Sequence, residues 1–240
     1  EGAKVLGVYE VRKSPSGLRR NIEQCLNDFN IPLYLSTTVT RLIGASKLEA
    51  VEVMSVDTNG KYIESSKKVI PCDTLILSVG LIPENELAES IDVKLNPVTN
   101  GIMVDQDFRS VSHPDIFACG NAVHVFDLVD YCSKSGEIAG RSATKPIKES
   151  QYIDVNAGQM IRYVIPNKIN LKGDLDNVVF NFRSTDDYLN KVVKIHQGSH
   201  LLIELPLKEV KCAECQKINL NLTQFTLNDY VPITVSLEDE

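Results

Sequence analysis

The sequence predicts an α/β fold in two parts, an incomplete parallel-sheet portion followed by a small all-β domain. Three observations carry this. Residues 3–10 and 33–35 are apolar runs separated by a helical periodicity, the β-α-β order of a parallel sheet. Residues 74–79, TLILSV, form an uninterrupted apolar run between Asp73 and Gly80, which suits a strand buried on both faces. After residue 150, short segments rich in Val, Ile, Leu, Phe and Tyr alternate with Gly, Asn, Asp and Pro, as in a small antiparallel sandwich or barrel.

The elements follow in order. Residues 3–10 end their apolar run at Glu10. Ser14 suits an N-cap and Pro15 a first helical position. Leu18, Ile22, Cys25, Leu26 and Phe29 then share one face of a helix that stops before Pro32. Residues 46–70 contain Asn59-Gly60, which predicts an antiparallel hairpin closed by a type I′ turn. A short helix is expected over 84–90, strands over 102–104 and 116–119, and a longer helix from about 125 to 145. Strands are expected at 159–165, 177–183, 191–197, 200–205, 217–222 and 231–236. Ile218, Leu220 and Leu222 alternate with Asn219 and Asn221, the period of a half-buried strand.

Composition excludes several function classes. The 240 residues carry 25 basic and 32 acidic side chains, a net charge of −7, with no basic run or aromatic platform. Nucleic acid and anionic membrane are therefore poor partners. No apolar run approaches the ~18–20 residues that span a bilayer. Residues 1–10 read as a strand and not as a signal peptide. A chain that opens at Glu1 directly into a strand reads as a fragment. Its 6 cysteines are scattered, which suggests a reducing, cytoplasmic setting.

Three places carry candidate chemistry. Glu10, at a strand end, is where an acid of a dinucleotide-binding β-α-β unit bonds ribose hydroxyls and repels a 2′-phosphate. The alternative is a solvated acid, and Arg12 and Lys13 close by weaken a choice of NAD over NADP. Residues 72–87, CDTLILSVGLIPENEL, place Gly80 where backbone could pass close to a cofactor and Pro83 where a crossover would be fixed; an ordinary strand and turn is the alternative. Residues 101–121, GIMVDQDFRSVSHPDIFACGN, end a strand at Gly120-Asn121 and lead through Ala122 into a helix, whose N-terminus would favour an electron-rich partner. A plain buried strand leading into a helix is the alternative there. Cys212 and Cys215 read as incidental thiols, with half a zinc site or a redox pair as alternatives, and no metal site is expected. His113, His124, His196 and His200 show no ligand spacing and read as surface or packing residues.

Residues 72–87 resemble the hinge strand of two-dinucleotide-domain flavoproteins, and residues 101–121 their second flavin-binding fingerprint. In order along the chain, these motifs are similar to the pyridine nucleotide-disulfide oxidoreductase superfamily. NIEQCLNDFNIPLYLSTTVTRLIG, IFACGNAVHVFDLVDYCSKSGEIAG and the tail opening with IRYVIP resemble, more narrowly, the NAD(FAD)-dependent dehydrogenases found beside anaerobic glycerol-3-phosphate dehydrogenase. The resemblance implies an incomplete Rossmann-like two-dinucleotide-binding-domain flavoprotein fold. It divides the chain into the end of an NAD-binding domain (1–88), the end of an FAD-binding domain (89–150) and a β-sandwich-like C-terminal domain (151–240). FAD and NAD are the implied cofactors, with Glu10, Gly80, Pro83, Gly120, Asn121 and Ala122 as binding residues. The implied reaction passes hydride from NADH to FAD and electrons onward to an acceptor, protein or small molecule, that the sequence does not name. A partner dehydrogenase subunit and a homodimer are the implied assemblies. Asn121 stands where the superfamily has Asp, keeping the hydrogen bond and losing the charge. Because the glycine-rich phosphate loops are missing, the chain alone is expected to be inactive and to bind neither dinucleotide tightly. The contrasting reading is a non-catalytic interaction or scaffold subunit derived from such a flavoprotein.

Overall fold

A computed structural model describes residues 2–15, 17, 19–146 and 149–239. The chain forms two compact units, Glu1–Val79 and Gly80–Glu240.

The first unit contains the expected β-α-β order. Strands β1 (Val8–Tyr9) and β2 (Leu33–Tyr34) pair in parallel, and the Tyr9 and Tyr34 rings stack at 4.9 Å. Between them, helix α1 (Arg19–Asn21) runs into a π-helical turn, Ile22–Asn27. Ser14, in a bend, and Pro15 lie four or more residues before the first described residue of that helix; Leu18, expected on its apolar face, lies outside the described residues. Strand pairing is confined to two residues of the expected 3–10 run, and Val5 and Leu6 are exposed.

A three-stranded antiparallel sheet follows, in the order β3 (Thr37–Ile43), β4 (Ala50–Ser55), β5 (Lys68–Pro71). β4 is central, which explains why Ala50, Val51, Glu52, Val53 and Met54 are all buried. Glu52 tolerates this because Thr40 donates to it and Arg41 and Lys67 lie 3.7 Å away. The hairpin is present, but its turn is not type I′. That type needs positive φ at both central residues, and here Gly60 (φ +80°) is left-handed while Asn59 is not. Asp57 dictates the turn: its Oδ1 accepts from the N–H groups of Asn59 and Lys61, while its carbonyl accepts from Gly60 N–H.

Residues 74–79 are not the doubly buried strand expected. They are irregular, and Ile76 and Val79 are 85% and 90% exposed. A strand of that kind needs neighbours on its edges and layers on both faces, and none of the described residues pairs with it.

The second unit begins with helix α2 (Glu86–Glu89) and a loop-rich segment leading to helix α3 (Val129–Ala143). Residues 102–104 and 116–119, expected as strands, contribute only isolated bridges, Leu95↔Ile102, Val104↔Ser110 and Arg109↔Phe117. The C-terminal strands are β6 (Tyr152–Ala157), β7 (Ile161–Ile165), β8 (Lys168–Asn170), β9 (Val178–Ser184), β10 (Tyr188–Gln197), β11 (His200–Val210), β12 (Gln216–Leu220) and β13 (Ile233–Asp239). They form a five-stranded sheet, β11-β10-β13-β6-β8, and a three-stranded sheet, β12-β9-β7. Phe180 and Phe182 of one sheet share a core with Ile195 and Leu237 of the other, so the tail is the expected all-β domain. It is not wholly antiparallel, since β13 pairs with β6 in parallel.

β7 faces two cores. Val164 enters the sandwich, while Tyr163 and Ile165 pack with Val93, Ile102, Val104, Val123 and Ala139. A register shift between Ile161 and Tyr163 turns Ile161 into the sandwich with Val164. Residues on either side of position 150 are thereby joined in one compact unit.

The turn assignment is testable. Gly60→Ala is expected to cost about 1 kcal/mol through its left-handed backbone, and Asn59→Ala well under half of that. Equilibrium urea unfolding of the two variants checks it; equal losses would restore the type I′ turn.

Candidate functional site

The expected site residues divide between the two units. Glu10 lies in the first, half-buried, with its Oε1 accepting from the Arg12 N–H at 2.9 Å. Arg12 in turn gives its carbonyl to Ser36 N–H, so backbone hydrogen bonds order the loop after Glu10. The other five belong to the second unit. Gly80 is exposed at φ +114°, a conformation for glycine, and an added Cβ there would meet nothing within 4 Å. Its need for glycine is set by its backbone conformation, since no described residue approaches that position. Pro83 is half-buried two residues before Asn85.

Gly120, Asn121 and Ala122 form a single 3₁₀ turn. The helix expected from about 125 starts at Val129. The local hydrogen bonds give the reason. Gly120, at φ +60°, donates its N–H to Ser135 Oγ at 2.8 Å, and Phe126 N–H is spent on Asn121 Oδ1 at 3.1 Å. A three-residue turn has little macrodipole, so this turn acts through individual donors and acceptors. Asn121 is exposed. Its Oδ1 also receives the Cys132 thiol at 3.6 Å, and both contacts come from donors, which fixes the oxygen inward. The amide Nδ2 has no hydrogen bond among the described residues and is a donor on the outer side.

Two residues that sequence reasoning did not single out build this turn. Buried Asn85 donates from Nδ2 to the carbonyls of Asn100 (2.9 Å) and Ala122 (3.0 Å), tying residues 85, 100 and 122 together. A Cβ on Gly101 would lie 1.6 Å from the Val123 carbonyl oxygen. The only signal for either was position, Asn85 two residues after Pro83 and Gly101 at the head of the 101–121 pattern.

Asp105 orders the intervening loop. Its Oδ1 accepts from Asp107 and Arg109 N–H groups, and burial pushes its carboxyl up to about 6. Beyond the turn lies a buried polar cluster. Arg183 Nε donates to the Tyr163 hydroxyl at 2.9 Å, and that hydroxyl lies 3.4 Å from His124 Nδ1. His124 is fully buried against Phe126, ring centroids 4.0 Å apart, and its Nε2 has no partner among the described residues. Burial and the Arg183 charge lower His124 to about 4, while burial raises Tyr163 to about 12. Both are neutral near pH 7, and His124 is the packing residue the sequence suggested.

All 6 cysteines are free thiols. Burial pushes Cys215 up to about 12, which keeps it protonated and unreactive. Cys212 instead meets Asp186 and Asp187, whose ligand atoms lie with its sulfur inside 4.8 Å of one another.

The sequence profile of the pyridine nucleotide-disulphide oxidoreductases matches residues 7–136, more than half of the chain. The chain belongs to that family. The matched stretch contains all six expected site residues, from Glu10 to Ala122. Among solved structures, the chain is similar to an HOCl-induced flavoprotein disulfide reductase, RclA, from Escherichia coli, a cysteine-to-serine mutant in its Cu(II) complex. Identity is 14%, TM-score 0.42, and the alignment covers 78% of this chain and 40% of that one. The chain thus spans well under half the length of that neighbour. No curated protein matches. No helix is long and apolar enough to cross a membrane among the described residues.

Two outcomes test this geometry. Gly101→Ala forces a Cβ into the Val123 backbone and is expected to cost about 3 kcal/mol, against about 1–2 kcal/mol for Gly120→Ala, where only the φ is strained. Denaturant unfolding compares them, and equal costs would deny the close approach. The second outcome concerns pH. His124 drops from 6.5 to about 4 on folding, so its contribution is complete above pH 6.5 and is lost as pH falls toward 4. Asp105 rises from 3.8 to about 6, so its contribution is complete below pH 3.8 and is lost as pH rises through 6. The two slopes oppose each other between. In His124→Phe only the Asp105 slope remains of this pair, so lowering the pH from 6.5 to 4.5 should cost the variant roughly 2 kcal/mol less than the wild type. Thermal or urea unfolding at both pH values decides it.

Proposed function

We propose that the chain is the C-terminal portion of an FAD-dependent NAD(P)H oxidoreductase that takes hydride from NADH into FAD and passes electrons to a further acceptor. The observation that carries this is the Gly120–Ala122 turn inside the family match, with Asn121 holding its oxygen inward and its amide donor outward. Such a donor fits a hydroxyl or carbonyl oxygen of a flavin, and Gly120 and Ala122 supply the backbone on either side of it. Asn85 and Ser135 fix that backbone. Gly80 and Pro83 would carry the crossover between cofactor domains, and Glu10 would take the ribose of the nicotinamide coenzyme. Flavin, when bound, supplies the two-electron chemistry; the chain's residues supply binding and orientation.

The narrower likeness to dehydrogenases found beside anaerobic glycerol-3-phosphate dehydrogenase supports a cytoplasmic protein working with a partner dehydrogenase subunit. A homodimer is part of the same reading. The domain limits at 88 and 150 belong to it as well: residues 89–150 would complete the flavin domain while resting on the sandwich through Tyr163 and Ile165.

Coenzyme choice follows from Glu10. A carboxylate at the ribose faces a 2′-phosphate with like charge, which can cost several kcal/mol in a partly dry site. Its tie to the Arg12 N–H holds the carboxylate in place. The full-length protein is expected to purify with flavin and to prefer NADH over NADPH by at least about tenfold in kcat/KM. Glu10→Ala should shrink that preference. A protein that neither carries nor binds FAD would overturn the proposal, and equal use of both coenzymes would reduce Glu10 to a solvated acid.

A further inference from the structure

We infer that Arg183, on β9 of the all-β domain, is a positioning residue that acts on the cofactor through Asn121; this rests on the flavin reading above. The guanidinium is nearly enclosed, its side chain 12% exposed, and the Asp127 side chain paired with it is 14% exposed. It donates to four places: the Tyr163 hydroxyl (2.9 Å), the Val125 carbonyl (3.2 Å), Asp127 Oδ1 and the Ala213 carbonyl. Asp127 is held from its other oxygen by Cys215 N–H at 2.6 Å. Val125 and Asp127 are thus both anchored to the sandwich, and the residue between them is Phe126. Its buried backbone N–H is the group that fixes Asn121 Oδ1. Only an oxygen can accept from that N–H, so holding residue 126 also holds the outward Nδ2.

The residue type matters. Arginine presents five donors in a rigid planar fork, and four acceptors on three chain segments use it here. Lysine is one point charge and can serve Asp127 without also holding Val125. Removing the cation altogether would leave a largely buried carboxylate unpaired, so the informative variant is Arg183→Lys.

The test is a double-mutant cycle on FAD affinity in the full-length protein, read by quenching of flavin fluorescence. Arg183→Lys is expected to weaken FAD roughly fivefold, Asn121→Ala roughly tenfold, and the double variant no more than Asn121→Ala alone. In the flavin-free protein, Arg183→Lys should also speed hydrogen exchange at the Phe126 amide. Asp127→Asn is the second route, with the same non-additivity against Asn121→Ala, and it decides the matter where Arg183→Lys does not fold. Additive losses, or Phe126 exchange unchanged by both variants, would overturn the inference while leaving flavin binding intact. A wild-type protein that binds no FAD would overturn the functional reading and this inference together.

Discussion

The second unit depends on one strand having two apolar faces. β7 sends Val164 and, through its bulge, Ile161 into the sandwich, and Tyr163 and Ile165 into the cluster around Val104 and Val123. Val104 and Val123 are fully buried, yet the segment holding them has little regular structure of its own. Loops of this kind bury few apolar groups among themselves and need an external surface to repay the entropy of ordering. β7 is that surface. A polar substitution at Tyr163 or Ile165 would loosen the 101–128 segment without touching it in sequence.

Polar groups refine what β7 begins. Asn85, Ser135 and Asp105 each bind backbone and leave the turn around Gly120 few alternatives. The Arg183–Asp127 pair then joins the loop after that turn to the sandwich. The cost is visible at His124, whose Nε2 is buried without a partner among the described residues, a penalty of about 1–3 kcal/mol. Arg183 Nε donates to the Tyr163 oxygen, and that hydroxyl lies 3.4 Å from His124 Nδ1. The cluster is satisfied at Arg183 and left short at the ring beyond it.

Legibility followed the range of the interactions. The β-α-β order, α3 and the strands after 158 other than β8 were readable because period and turn residues are local signals. β3, β6 and β8 were not singled out. β3 runs Thr-Thr-Val-Thr-Arg-Leu-Ile with its strand partner supplying the burial pattern, and β8 has only three residues. Residues 74–79 misled for the opposite reason: the apolar run describes a strand that partners must complete, and the described residues offer none. At the turn, the Gly120-Asn121 pair could be found by resemblance, but its supports could not. Arg183 lies 62 positions beyond Asn121, and a lone Arg in an apolar strand carries no mark of what it will reach.

The amide at position 121 shows how such supports give a side chain its meaning. In isolation an Asn can offer either end to a neighbour, and Asp would seem a near substitute. Here Phe126 N–H and the Cys132 thiol both point at one oxygen, so the choice is already made. A carboxylate could satisfy the same two donors, but its second atom would then present an acceptor and a charge where the amide presents a neutral donor. The difference between Asn and Asp at this turn is therefore one of hydrogen-bond polarity as much as of charge, and it is set by the backbone N–H of Phe126.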